Sequence, residues 1–296
     1  MSKEILALEA ITKTITDLHS QNTILKDKIN ECRSILNSDV QSLEQIDPRQ
    51  ELIKVIAKYK IDPDYLKNFT IESAIEREDL EILELLLKNN PKKKYPIIEA
   101  VKKNNIEIVK LLLLYGADIH IDNDLAFRYA SENKHTSVVK LLLEAGANVH
   151  AEDDYALRWA SNKGHIDRVQ LFLESGANIH ALNDCALRLA SEGGHSNVVQ
   201  LLLKKGADVH AFDDDSIENA SENGHVSVVK LLLEAGANVH AGDDYALRYA
   251  SKNGHGPVVQ LLLEAGANVH AKNDYAYRKA SKEKHWDVVK ILSDSR

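Results

Sequence analysis

A repeat of 30 residues constrains the fold of this chain more than any other feature. Its units begin at Ile121, Ala151, Ala181, Ala211, Ala241 and Ala271. The units end on Gly-Ala-Asn-Val-His or a close variant, at His150, His180, His210, His240 and His270. A fixed period of this size is typical of arrays in which one small supersecondary unit stacks on the next. We therefore expect an elongated array in this part of the chain.

Two short helices are predicted in each unit. Leu157 and Ala160 lie one helical turn apart, and Asp154 is predicted to be the N-cap of this first helix. A second helix is predicted over Val169–Leu173, with Gly176 as its C-terminal stop. Isolated helices shorter than about 12–15 residues are marginal in water, so these helices need stacking. The pattern predicts an all-α solenoid of about eight stacked helical pairs.

The repeat resembles that of ankyrin proteins. Their Thr-Pro-Leu-His-x-Ala segment corresponds to Tyr-Ala-Leu-Arg-Trp-Ala at residues 155–160, and the later Gly-His and Leu-rich segments also match. The chain departs from the ankyrin pattern in two ways. Tyr-Ala replaces Thr-Pro and Arg replaces His, and the segment between units lacks three residues. The resemblance implies a protein-binding scaffold with a shortened turn, so more of the binding would fall to the inner helices. The 30-residue form also resembles the ankyrin proteins of giant DNA viruses of amoebae.

The array is predicted to occupy residues 65–296, after an N-terminal helical segment at 1–64. Units 65–90 and 91–120 are diverged, and unit 271–296 is expected to be a truncated C-terminal cap. The regular units are 121–150, 151–180, 181–210, 211–240 and 241–270.

The N-terminal segment has its own heptad pattern. Apolar residues recur in steps of three and four between Leu8 and Leu36, with Asn22 at a core position. Such a seam is typical of a coiled coil, and the Asn would select register in a parallel dimer. Three interpretations stay open: a helical cap on the array, a homodimer through residues 1–40, or a partner-binding helix. The flanking positions do not offer paired opposite charges, which favours the cap.

Composition and charge exclude several function classes. The net charge is −8 and no dense Lys/Arg stripe is present, so nucleic acid is not an expected partner. No apolar run approaches the roughly 20 residues that span a bilayer, so no membrane association is expected. The two cysteines, Cys32 and Cys185, stand in unrelated contexts and indicate a reducing compartment. We expect an intracellular, cytoplasmic protein, in the host cytoplasm if the viral resemblance applies.

No catalytic residue, metal site or cofactor is predicted. Histidines at equivalent positions of stacked units lie about 8–10 Å apart, too far to share one zinc ion; we expect them to bond to the backbone. The acidic cluster Asp213, Asp214, Asp215 and Glu218 has no nucleophile or enclosing pocket beside it. We interpret it as a solvated helix N-terminus or as a contact for a basic partner.

The positions that vary within the fixed pattern are the candidate partner-binding residues, since the others are committed to packing. They fall on the predicted first helix and on the turn between units; packing between repeats is the alternative for the aromatic ones. The helix set is Tyr129, Trp159, Leu189, Asn219 and Tyr249, the turn set is Leu182 and Phe212, and the acidic set is Asp215 and Glu218. We predict a non-catalytic interaction module for a protein partner; the alternative is an oligomeric scaffold assembled through an N-terminal coiled coil.

Overall fold

The computed structural model describes residues 70–88 and 95–296. These residues lie within one compact unit that spans 69–296. In the described ranges every regular element is helical, and the helices form eight consecutive pairs. The all-α solenoid is therefore confirmed. The predicted N-terminal seam, with Asn22, and the 1–64 boundary lie outside the described residues.

The helices are numbered in chain order. The two diverged units contain α1 (Ile71–Arg77) with α2 (Leu80–Lys88), and α3 (Ile97–Lys102) with α4 (Ile106–Leu114). The regular units contain α5 (Ile121–Glu132), α6 (Thr136–Glu144), α7 (Ala151–Asn162), α8 (Ile166–Glu174), α9 (Ala181–Glu192), α10 (Ser196–Lys204), α11 (Ala211–Glu222), α12 (Val226–Glu234), α13 (Ala241–Asn253) and α14 (Gly256–Glu264). The last unit contains α15 (Ala271–Glu283) and α16 (Trp286–Asp294).

The second helix of each pair ends where its sequence predicts. In α8, Val169 and Phe172 are fully buried. Gly176 follows at a φ of 93°, the left-handed conformation that glycine adopts without a steric penalty. The Ala177 N–H then donates to the Phe172 carbonyl at 2.9 Å, which satisfies one of the last free carbonyls of the helix.

The core is one continuous cluster that runs through the stack. Each regular first helix places a completely buried alanine at its centre, such as Ala160 and Ala190, so that neighbouring helices approach closely. One of the few large side chains is Phe127, whose ring meets that of Phe172 edge to face at 5.8 Å. The core is therefore packed mainly by small residues and by Leu and Val, as the low aromatic content indicates.

The connection between pairs differs from the sequence prediction. Glu152, Asp153 and Asp154 all have positive φ angles, of 51°, 53° and 57°, and form one left-handed turn before the regular part of α7. Asp154 is therefore not the N-cap of its own helix, and that prediction is wrong. Its Oδ1 instead accepts the N–H of Asn178, in the next repeat, at 2.7 Å. It also lies 3.1 Å from Nδ1 of His150.

The same aspartate recurs through the array and links each regular repeat to the next. These carboxylates are buried, with 3–6% of their surface exposed. Each accepts a main-chain N–H 24 residues further on, at 2.7–2.8 Å. The five are Asp124, Asp154, Asp184, Asp214 and Asp244.

Candidate functional site

The residues that vary from repeat to repeat lie on the left-handed turns and on the adjoining exposed side of the first helices. We call this surface the variable face. It comprises Tyr129, Trp159, Leu182, Leu189, Phe212, Asp215, Glu218, Asn219 and Tyr249.

Two large apolar side chains stand at the turns. Leu182 is 50% exposed and Phe212 is 62% exposed, at equivalent positions of consecutive repeats. Both have left-handed backbone, with φ angles of 51° and 55°, which costs a non-glycine residue about 1–2 kcal/mol. The Arg188 guanidinium lies over the Phe212 ring, 4.8 Å from its centroid. The prediction that these two turn residues are exposed is confirmed.

The helix residues of the variable face are half-buried. Trp159 packs beside the His165 ring with centroids 5.7 Å apart. Tyr249 stacks on Tyr245 at 4.0 Å and approaches Tyr275 of the next repeat at 6.1 Å. These aromatic rings therefore combine packing with a surface that remains open to solvent.

Tyr129 and Leu189 occupy the matching places of the first and third repeats. Tyr129 lies beside His135, with ring centroids 6.2 Å apart, and it packs against the hydrophobic core. Leu189 is half-buried on α9. Asn219 differs because it is polar, and its amide donates to Asp215 Oδ2 at 2.9 Å. The helix part of the face thus changes from apolar to polar in the fourth regular repeat, residues 211–240.

An arginine holds the left-handed turn in four of the five regular repeats and in the last unit, 271–296. Arg158 donates from Nε to the Asp153 carbonyl at 2.9 Å and from a terminal nitrogen to the Glu152 carbonyl at 2.8 Å. The corresponding bonds of the other four arginines measure 2.8–3.2 Å. These arginines are Arg128, Arg188, Arg248 and Arg278. Sequence reasoning missed this role, although the arginine recurs at one position of every such unit.

The fourth repeat replaces that arginine with Glu218. Burial raises the pKa of the Glu218 carboxyl to about 7, and the negative charge of Asp215 adds to the effect. Asp215 itself is held by Arg188 of the preceding repeat, at 3.2 Å. The structure thus brings the predicted acidic residues Asp215 and Glu218 together, next to Phe212 and Asn219.

The interpretation of Asp213 to Asp215 as one solvated helix N-terminus is wrong for Asp214. Asp214 is the fourth-repeat copy of the linking aspartate, is only 6% exposed, and accepts the Asn238 N–H at 2.7 Å. Asp213 is exposed and lies in the left-handed turn. Only Asp215 and Glu218 are therefore specific to this repeat as acidic residues.

The histidines form two sets, and both bond to the protein. Histidines at unit ends direct Nδ1 at the linking aspartate, as His180 does to Asp184 at 3.1 Å. Four turn histidines, His195, His225, His255 and His285, donate Nε2–H to a carbonyl of the preceding repeat, as His225 does to Glu192 at 2.8 Å. The ring of His225 leaves no room for a side chain at Gly194, where a Cβ would lie 2.6 Å from Nδ1. Among residues 70–88 and 95–296, no three potential ligands are grouped to hold a metal ion.

This array of short, stacked helical pairs defines the chain as a helical-repeat solenoid protein. Its sequence matches a family described as ankyrin repeats (3 copies), over residues 71–153, 127–213 and 217–296. Because these matches extend over most of the chain, it belongs to the ankyrin-repeat family. Ankyrin repeats generally mediate protein–protein interaction, and the family is typically non-catalytic. No curated protein matched the sequence.

No helix within residues 70–88 and 95–296 is long and apolar enough to cross a membrane.

Proposed function

We propose that this chain is a non-catalytic interaction module that binds a protein partner on its variable face. The exposed turn residues Leu182 and Phe212 would supply apolar contacts, and the half-buried Trp159 and Tyr249 would flank them. Aromatic residues of this kind dominate the binding energy at protein interfaces.

One observation carries the proposal. Phe212 exposes 62% of a large apolar side chain from a backbone conformation that is unfavourable for it. Apart from Leu182, the other repeats place polar residues or glycine at this position, such as Glu152, Gly242 and Lys272. The fold therefore does not require an aromatic residue here. Contact with a partner is a physical reason for having one.

The first experiment compares capture of proteins from a lysate by the wild type and by the Trp159→Ala, Phe212→Ala, Tyr249→Ala triple variant. The variant must keep its helical circular dichroism. We expect at least one protein to bind the wild type and to be lost with the triple variant.

A matched control removes three exposed apolar residues from the second helices instead. It carries Ile166→Ala, Val226→Ala and Trp286→Ala, whose side chains are 37%, 40% and 64% exposed. This control should retain the captured protein. Equal capture by all three proteins would refute the proposed binding face.

The alternative function is an oligomeric scaffold assembled through residues 1–40. It is supported only by the heptad pattern of the sequence, because these residues lie outside the described ranges. Sedimentation of the full chain and of a chain lacking residues 1–40 distinguishes the two functions. A concentration-dependent dimer that disappears with the deletion supports the scaffold.

The origin of the partner is a further part of the proposal. The resemblance to ankyrin proteins of giant amoebal viruses suggests a host protein in the cytoplasm. The low cysteine content fits a reducing compartment. Identification of the captured protein tests both points.

A further inference from the structure

The fourth regular repeat, residues 211–240, lacks the arginine that the other four regular repeats and the last unit use to hold the turn. In those repeats the guanidinium donates to two main-chain carbonyls of the left-handed turn, at 2.8–3.2 Å. The equivalent carbonyls here belong to Phe212 and Asp213. In the part of the chain that the structure describes, no side chain donates to them.

A second difference at this turn is the loss of a side chain from the turn of the next repeat. In the fifth turn, Asp243 pairs with the side chain of Lys272 from the next turn. In the first turn, Asn123 donates to Glu152 of the next turn at 2.8 Å. The corresponding partner of Asp213 would come from position 242, which is glycine. Gly242 therefore gives Asp213 no side-chain partner, and the Glu218 carboxylate lies in this space, with Oε1 2.5 Å from where a Cβ of Gly242 would stand.

Acidic side chains surround this position. Glu218 replaces the arginine itself, Asp215 lies within the same turn of helix, and Asp213 is exposed at the turn. The nearest cations are already engaged, since Arg188 bonds to its own turn and to Asp215. Arg248 likewise bonds to the carbonyls of Gly242 and Asp243. A cation of the right shape would thus meet two carbonyls and the carboxyl groups of Asp213 and Glu218.

We propose that an arginine side chain of the protein partner binds at this position and donates to the carbonyls of Phe212 and Asp213. This inference rests on the proposed function and specifies its partner chemistry. The incoming guanidinium takes the place that the chain's own arginine occupies in the sibling repeats, and Glu218 becomes its counter-ion. An apolar residue beside that arginine contacts the exposed ring of Phe212.

Arginine fits this position better than lysine for a geometric reason. The five sibling arginines use two different nitrogens of one planar group to reach two carbonyls. A lysine ammonium is a compact charge without this fixed fork. Hydrogen bonds that involve an ionised group are about twice as strong as neutral ones, so charge adds to the fit.

The test is a titration of the full chain with a blocked tetrapeptide that contains leucine, one arginine and two glycines, followed by amide chemical shifts. Two matched peptides carry lysine or citrulline in place of arginine. Citrulline keeps the shape and loses the charge. We expect saturable shifts at residues 212–215 and at Gly242 with the arginine peptide. Binding should be several-fold weaker with lysine and at least about tenfold weaker with citrulline.

The matched protein variant is Glu218→Arg. It restores the residue that five other repeats already have, so we expect it to fold, and circular dichroism verifies this. Its own guanidinium fills the position, and the arginine peptide should bind at least about tenfold more weakly. Equal binding to this variant, equal binding of the citrulline peptide, or the absence of saturable shifts would each overturn the inference.

The same variant separates this inference from the proposed function. Suppose that Glu218→Arg still captures the lysate partner and that the Trp159→Ala, Phe212→Ala, Tyr249→Ala variant does not. The proposal of a partner arginine is then refuted, while the proposed binding face is supported. Loss of capture by both variants supports both proposals.

Discussion

The second and fourth regular repeats share one backbone and differ in what their surfaces offer. Their turns have nearly the same left-handed φ angles, and their linking aspartates, Asp154 and Asp214, make the same bonds. At the surface, Arg158 is replaced by Glu218 and Glu152 by Phe212. The comparison shows that the aspartate which links one repeat to the next is the same in both units, while the arginine that bonds to the turn and the exposed turn residue differ.

The largest expected effect tests what the two repeats have in common. Asp154→Ala and Asp214→Ala each remove a buried carboxylate that accepts a main-chain N–H of the next repeat. We expect each to lower the free energy of unfolding by about 2 kcal/mol, measured by urea denaturation. Asp153→Asn, at an exposed neighbour, is the control and should cost less than about 0.5 kcal/mol, because asparagine tolerates the left-handed backbone of this position. Unequal losses in the two repeats would contradict their structural equivalence.

Exchanging Arg158 and Glu218 should give each repeat the turn stability of the other. Arg158→Glu loses two bonds to the turn carbonyls and should destabilise the protein by about 1–2 kcal/mol. Glu218→Arg should stabilise it by about 1 kcal/mol, because it gains the same bonds. Arg158→Lys keeps the charge without the fork and should still lose part of the stability. If Arg158→Glu leaves the urea midpoint unchanged, the arginine does not hold the turn.

The pH dependence of stability should also differ between the repeats. Burial and the charge of Asp215 raise the pKa of Glu218 from 4.5 to about 7 in the folded protein, while Arg248 opposes the shift and Asp213 and Asp214 add to it. The folded state therefore holds this proton in a range where the unfolded state has released it. Its contribution to stability is present below about pH 4.5 and is lost as the pH rises through 7.

Glu218→Gln removes this dependence. At pH 8 we expect the variant to be more stable than the wild type by about 1 kcal/mol, a value reduced because the side chain is partly exposed. The gain should fade near pH 4.5, and thermal melts across this range measure it. Glu144→Gln, on an exposed part of α6, is the control and should show no such trend. A gain that persists unchanged at low pH would argue against the raised pKa.

The smallest expected effect on folding concerns Phe212. Phe212→Gly relieves a left-handed backbone but loses the stacking of Arg188, and each effect is worth about 1 kcal/mol. We expect the free energy of unfolding to change by less than about 0.5 kcal/mol. Capture of the partner should nevertheless be lost. A large loss of stability would show that the ring serves the fold rather than recognition.

The sequence allowed the array, the helical pairs and the variable positions to be predicted, because all three follow from a pattern that repeats. Gly176 ends its helix as predicted, because that stop is local. Asp154 was assigned to the wrong partner. A rule that pairs an aspartate with the next amides of its own helix does not detect a bond to Asn178, 24 residues away.

The arginine role was missed for a similar reason. Arg158 reaches back to the carbonyls of Glu152 and Asp153, which are accessible to it only because that turn is left-handed. Three consecutive non-glycine residues with positive φ are not expected from their residue types. The extra acidic residues of the fourth regular repeat are evident in the sequence. Their effect can be inferred only from the structure, which shows that Glu218 replaces an arginine that bonds to the turn.

The linking aspartates have a consequence for how such a chain changes length. Each one bonds to the repeat that follows it, and the same bond recurs at an interval of 30 residues. If a segment of one full period is deleted or duplicated in frame, every remaining aspartate meets an equivalent amide in its new neighbour. Duplication or deletion of one period in the gene can therefore lengthen or shorten the array without requiring a new kind of contact between repeats. The fourth regular repeat can likewise occupy another place in the array.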